Sequence, residues 1–112
     1  MVSKYHNKKT TIDGITFDSK REAERYCELK LLQRSGEISD LTLQPDFILF
    51  ESFKKFGKTY RQIKYIADFM YWVKKSEKFV IEDVKGIETE AFKIKRKLFE
   101  SKYPEFSLTI VK

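Results

Sequence analysis

The sequence predicts an α/β chain of the α+β kind, a mixed central β-sheet with helices packed on it. Three observations carry that prediction. Short runs rich in β-branched and aromatic residues recur along the chain, two longer segments read as capped helices, and the helices fall between strands. The first nine residues, MVSKYHNKK, are basic and aperiodic and read as an N-terminal arm (1–9), which leaves 10–112 as a single domain.

Each element has a local reason. In TTIDGITF, β-favouring residues flank Asp13-Gly14, a dipeptide suited to the positive φ angles of a two-residue hairpin turn. Asp18 or Ser19 can cap a helix from about Lys20 to Ser35, closed by Gly36. LTLQPDFILF is β-rich, and its Pro45 marks an edge or a bulge. ESFKKFGKTY reads as a loop or hairpin tip turning at Gly57. Two strands follow, QIKYIADFMYWV and KFVIEDVKG, separated by the polar KKSEK. Thr89 caps a second helix from about Glu90 to Lys102, Pro104 ends it, and FSLTIVK is the last strand.

Composition narrows the function classes. The 112 residues carry 23 Lys plus Arg against 17 Asp plus Glu, a formal charge of +6. With 41% hydrophobic and 15% aromatic residues the chain is not intrinsically disordered. One cysteine and one histidine exclude a disulfide framework and a Cys/His zinc site. No apolar run approaches the ~18 residues of a membrane span and no signal-peptide pattern opens the chain, so the expectation is a cytoplasmic protein with no membrane partner. A basic balance favours a polyanionic partner, nucleic acid being the commonest, against a solvated lysine-rich surface.

Strand register decides which acids can meet. If Lys75-Ser76 form a two-residue turn, Lys74 pairs with Glu77, and Asp68 comes to lie opposite Asp83. Alternation then puts Ile66, Asp68, Met70 and Trp72 on one face with Phe79, Ile81, Asp83 and Lys85, leaving Glu82 and Val84 on the other. Opposed carboxylates repel, and a divalent cation between them would turn repulsion into coordination by hard oxygens. The alternative is an ordinary Asp–Lys pair on a solvated rim. On the first helix, Arg21, Glu24 and Glu28 fall on the water side, whereas Glu22 projects from the apolar side with Ala23, Tyr26, Leu29 and Leu32. It is either a third site acid or an edge carboxylate.

The set Phe17-Asp18-Ser19-Lys20-Arg21-Glu22-Ala23-Glu24-Arg25-Tyr26, Leu43-Gln44-Pro45, Tyr65-Ile66-Ala67-Asp68-Phe69 and Glu82-Asp83-Val84-Lys85-Gly86 resembles the PD-(D/E)XK nuclease superfamily. Within it, the chain is similar to a family of small phage-encoded nucleases once classed as a domain of unknown function. The stretch from the second helix to the C-terminus looks like the close of phage endonuclease I-type Holliday-junction resolvases. The resemblance spans about residues 4 to 112, with Ala67 standing where the superfamily's name-giving motif has proline. It implies a restriction-endonuclease-like core and a metal-dependent endodeoxyribonuclease for branched DNA, needing no small-molecule cofactor. Catalytic residues would be Glu22, Asp68, Asp83 and Lys85. Mg²⁺, or Mn²⁺ in its place, would be held by Asp68, Asp83, the Val84 backbone carbonyl and Glu22, with Gln44 a possible accessory. A nicking or flap nuclease, or an inert DNA-binding module on the same fold, are the other readings. Two symmetric nicks imply a homodimer. Lys93, Arg96 and Lys97 of the second helix and Lys4, Lys8 and Lys9 of the arm are candidate DNA contacts or else solvated cations. Cys27 reads as a small core residue, and Ile94 and Leu98 as packing on the sheet.

Overall fold

The computed structural model describes residues 9–112. A hairpin of β1 (Thr10–Ile12) and β2 (Ile15–Phe17) turns at Asp13 and Gly14, with φ of 54° and 76°. Helix α1 (Lys20–Ser35) starts at Ser19, whose hydroxyl accepts from the Glu22 N–H, and ends at Gly36 in the left-handed conformation, φ 89°. Strands β3 (Ile38–Leu43), β4 (Asp46–Phe50), β5 (Phe53–Lys55), β6 (Lys58–Tyr60), β7 (Ile63–Ile66), β8 (Phe69–Val73) and β9 (Lys78–Val84) follow. Helix α2 (Glu90–Lys102), capped by Thr89, then leads to β10 (Ser107–Val111).

The central sheet has the order β10-β9-β8-β3. Strands β3, β8 and β9 are antiparallel neighbours, while β10 runs parallel to β9 because α2 carries the chain back across the sheet. The expected mixed α+β architecture is therefore present. Alternation sorts the core into two clusters: Phe17, Ala23, Tyr26, Leu29, Ile38, Phe69 and Tyr71 beneath α1, and Tyr65, Ile81, Phe92, Phe99 and Leu108 among those beneath α2. Helix α2 contributes Phe92 and Phe99, with Leu98 partly buried, but Ile94 is 59% exposed. The stripe 92, 95, 96, 99 faces the sheet and leaves Ile94 on the water side, contrary to its expected packing. Cys27 is likewise exposed, not core.

Both long sequence strands are broken at the same level. LTLQPDFILF divides into β3 and β4 at Gln44-Pro45, where Gln44 has φ 50°, and QIKYIADFMYWV divides into β7 and β8 at Ala67-Asp68. The breaks are stitched together: the Gln44 N–H donates to the Asp68 carbonyl at 2.9 Å, and the Ala67 N–H to the Pro45 carbonyl at 3.0 Å. Pro45 lacks an N–H for the ladder, so both strands of this hairpin bend together and continue as the β4-β7 pair. The β8-β9 register is the expected one, Val73 opposite Lys78 through Phe69 opposite Glu82. The turn differs. Lys75-Ser76 lacks the glycine or asparagine that favours two positive φ angles, so the chain takes a wider turn in which the Glu77 N–H donates to the Val73 carbonyl with Glu77 at φ 54°.

Candidate functional site

The strand break places Asp68 where the sheet ceases to be continuous. Its N–H donates to the Glu82 carbonyl at 3.0 Å, and its Oδ2 accepts from the Val84 N–H at 2.7 Å. Asp83, one residue along β9 from Glu82, is 4% exposed and accepts from the Tyr65 hydroxyl at 2.5 Å. Lys85 Nζ lies 3.7 Å from Asp83 Oδ2 and 4.6 Å from the centre of the Phe92 ring, so the ammonium is held between a carboxylate and an aromatic face. Glu22, half-buried one turn into α1, lines a cavity of about 190 Å³ together with Gln44 and Asp68. Four sequence candidates, Glu22, Asp68, Asp83 and Lys85, are thus brought to one end of the sheet, and Gln44 joins them through the strand break.

The electrostatics follow from burial. Removal from water pushes the Asp68 carboxyl up to about 6; the Val84 N–H and Asp83 act against that, and Glu22 adds to it. Burial also raises Asp83 to about 6, reinforced by Asp68 and opposed by the Tyr65 hydrogen bond and Lys85. Tyr65 is itself raised by burial and by Asp83 and stays a phenol, donating its proton to the carboxylate. Among the described residues no three His, Cys, Asp or Glu side chains are gathered into a ready-made metal cage. What is present is a pair of mutually interacting buried carboxylates with a third nearby, a hard-oxygen donor set whose repulsion a divalent cation would relieve. These residues fit such an ion.

Other groups were not foreseen. Glu82, nearly fully buried on the α1 face, is clamped by Arg25, with Nε to Oε1 at 2.8 Å and Nη2 to Oε2 at 2.6 Å, and accepts from the Tyr71 hydroxyl. The signal was available: Glu82 reads as facing the helix, and Arg25 lies on the same broad side of α1 as Glu22. On the α2 face, Lys64 and Lys95 share with Tyr65 and Lys85 the lining of a cavity of about 300 Å³. The expected clamp on α2 is electrically balanced: Lys93 pairs with Glu90 at 3.4 Å and Arg96 with Glu88 at 3.8 Å, while Lys97 shares its surface cleft with both acids and Glu100. Lys9 is exposed just before β1, and Lys4 and Lys8 lie outside the described residues. A cleft of about 500 Å³, between Leu32, Ile38, Tyr71 and Val73, is mainly apolar and lies at the opposite end of the β3-β8 pair. No helix is long and apolar enough to cross a membrane.

The family model described as "Protein of unknown function (DUF1064)" matches residues 2–112, so the chain belongs to that family. No curated protein and no solved structure matches it.

Proposed function

We propose that this member of the DUF1064 family is a metal-dependent endodeoxyribonuclease of the PD-(D/E)XK kind that cuts branched DNA. The observation that carries the reading is the convergence of Glu22, Asp68, Asp83 and Lys85, from a helix, a strand break and a strand end, at one end of a mixed sheet with helices packed on it. Asp68 and Asp83 would hold a Mg²⁺ or Mn²⁺ ion, with the Val84 carbonyl and Glu22 completing its surroundings. Such an ion would acidify a bound water and stabilise the charge that develops on the phosphate.

The protein's own groups have distinct tasks in this reading. The Val84 N–H and the Tyr65 hydroxyl fix one oxygen each of Asp68 and Asp83, which orients both carboxylates before substrate arrives. Lys85, steadied by Asp83 and the Phe92 ring, would orient the attacking water and offset phosphate charge. Lys95 extends positive charge along the face a DNA backbone would follow, and Lys64, paired with Asp46 at 3.4 Å, borders the same cavity. Paired nicks at a junction need two such centres, hence a homodimer, working in the cytoplasm of a bacterial host if the gene is phage-borne.

The test uses labelled duplex, single-strand, nicked, flap and four-way-junction DNA with Mg²⁺, Mn²⁺ or EDTA. Paired nicks near the junction centre, requiring metal and lost in Asp83→Ala, support the reading. Cleavage of every substrate alike keeps the nuclease and removes the preference for branches; selective nicking at flaps moves the role to flap processing. Tight binding with no cut in either metal leaves an inert DNA-binding module.

A further inference from the structure

The β5-β6 hairpin lies outside the central sheet. Among the described residues its strands pair only with each other, and all six of their residues are exposed. Residues 50–64 nevertheless hold Phe50, Phe53, Phe56 and Tyr60 among five cations, Lys54, Lys55, Lys58, Arg61 and Lys64, with Glu51 as the single acid. Phe56 sits at the tip, 97% exposed and at φ 51°, beside Gly57 at φ 77°. A bulky residue with positive φ is sterically disfavoured there, and this turn type prefers Asn, Asp or Gly. The hairpin therefore accepts both an exposed ring and an unfavourable backbone angle, and strain of this sort clusters at functional positions.

The aromatics are organised. Phe53 and Tyr60 stack with centroids 4.8 Å apart and planes within 9°, and Phe50 meets Phe53 edge-on at 5.9 Å. Lys58 Nζ lies 5.0 Å from the Tyr60 ring centre and Lys55 Nζ 5.6 Å from that of Phe56. Rings interleaved with cations on a projecting ribbon suit a polyanion that also offers flat apolar faces. Unpaired bases do this, because every base has a stacking face beside a phosphate. A protein partner with an apolar pocket would gain little from so dense a set of lysines.

We infer that this hairpin is a DNA-recognition wedge, with Phe56 stacking on a base face laid open where the helices part at a branch point and the surrounding lysines gripping the flanking phosphates. The inference rests on the reading of the chain as a branched-DNA nuclease and supplies the feature that would tell a branch from plain duplex.

Binding in EDTA tests it apart from cleavage, using a fluorescein-labelled four-way junction and a duplex of the same sequence. Wild type should bind the junction more tightly than the duplex. Phe56→Ala should weaken junction binding by about tenfold or more, the usual scale of one lost base–aromatic stack, and leave duplex binding unchanged. Phe56→Trp should restore it. Junction affinity unchanged in Phe56→Ala would overturn the wedge while leaving the nuclease proposal standing, whereas wild type that binds neither DNA, in EDTA or with Ca²⁺ in its place, would overturn the nuclease proposal as well. Sedimentation of the same proteins covers a protein occupant: loss of a dimer in Phe56→Ala with junction binding intact would make the hairpin a contact between copies and sink the wedge.

Discussion

Replacing Asp83 by Asn should stabilise the metal-free protein at neutral pH while abolishing cleavage. Asp68 and Asp83 both sit at about 6 in the fold against an ordinary value of 3.8, with burial the main cause and mutual repulsion adding to it at Asp83. The sign follows from proton linkage. Below about pH 3.8 each carboxyl is protonated in folded and unfolded chains alike and costs nothing. Between about pH 4 and 6 the unfolded chain gives up its protons first, so stability falls as pH rises, and above about pH 6 the loss is complete. At ~1.4 kcal/mol per pH unit, one carboxyl costs up to about 3 kcal/mol. Asp68 is part-exposed and the pair share one repulsion, so removing a single charge should return about 1–3 kcal/mol, or roughly 4–12 °C in Tm for a chain of this length. Urea melts in EDTA, followed by the fluorescence of Trp72, the one tryptophan, read this directly. The gain of Asp83→Asn should be absent near pH 4, grow through pH 6 and then level off. A variant less stable than wild type at about pH 7.5, or a gain indifferent to pH, would refute the account of a strained acid pair.

Three further expectations concern neighbouring groups. Millimolar Mg²⁺ or Mn²⁺ should raise the Tm of wild type and leave that of Asp83→Asn nearly unmoved, because only a ligand that binds the folded site stabilises it; equal shifts in both proteins would count against the site. Arg25→Met strands the buried Glu82 carboxylate and should cost about 3–5 kcal/mol in denaturant melts, much of it recovered in the double variant Arg25→Met/Glu82→Gln; a loss under 1 kcal/mol would show the pair to be dispensable. Lys95→Ala should flatten the salt dependence of DNA binding more than Lys93→Ala, whose cation is already paired with Glu90; the reverse order would put the DNA on the outer face of α2.

The sequence carried some features plainly and others not at all, for physical reasons. Caps and turn dipeptides act locally, so Ser19, Gly36, Thr89 and Asp13-Gly14 stand in their expected places. The Asp68–Asp83 juxtaposition followed from the period of a strand and one turn, and it survived a wrong turn type because four residues around Lys75-Ser76 return the same register. The common break at Gln44-Pro45 and Ala67-Asp68 was invisible, since it depends on two distant segments exchanging hydrogen bonds. Tyr65 escaped notice for the same reason, because alternation counted from Asp68 fails across the break. On α2, Lys93 and Lys97 share a face that Glu88, Glu90 and Glu100 occupy too, whereas Lys95, in the stripe that faces the sheet, lines the cavity beside Lys85.

The central claim is that Glu22, Asp68, Asp83 and Lys85 form one phosphodiesterase centre. Its most direct measurement is single-turnover cleavage of an end-labelled four-way junction in Mg²⁺ by wild type and by Glu22→Gln, Asp68→Asn, Asp83→Asn, Lys85→Met and Lys93→Ala. Wild type and Lys93→Ala should cut at similar rates, and each of the other four should lose about a hundredfold or more while still binding the junction. Absence of cleavage by wild type, or cleavage that survives in Asp68→Asn and Asp83→Asn, would contradict it.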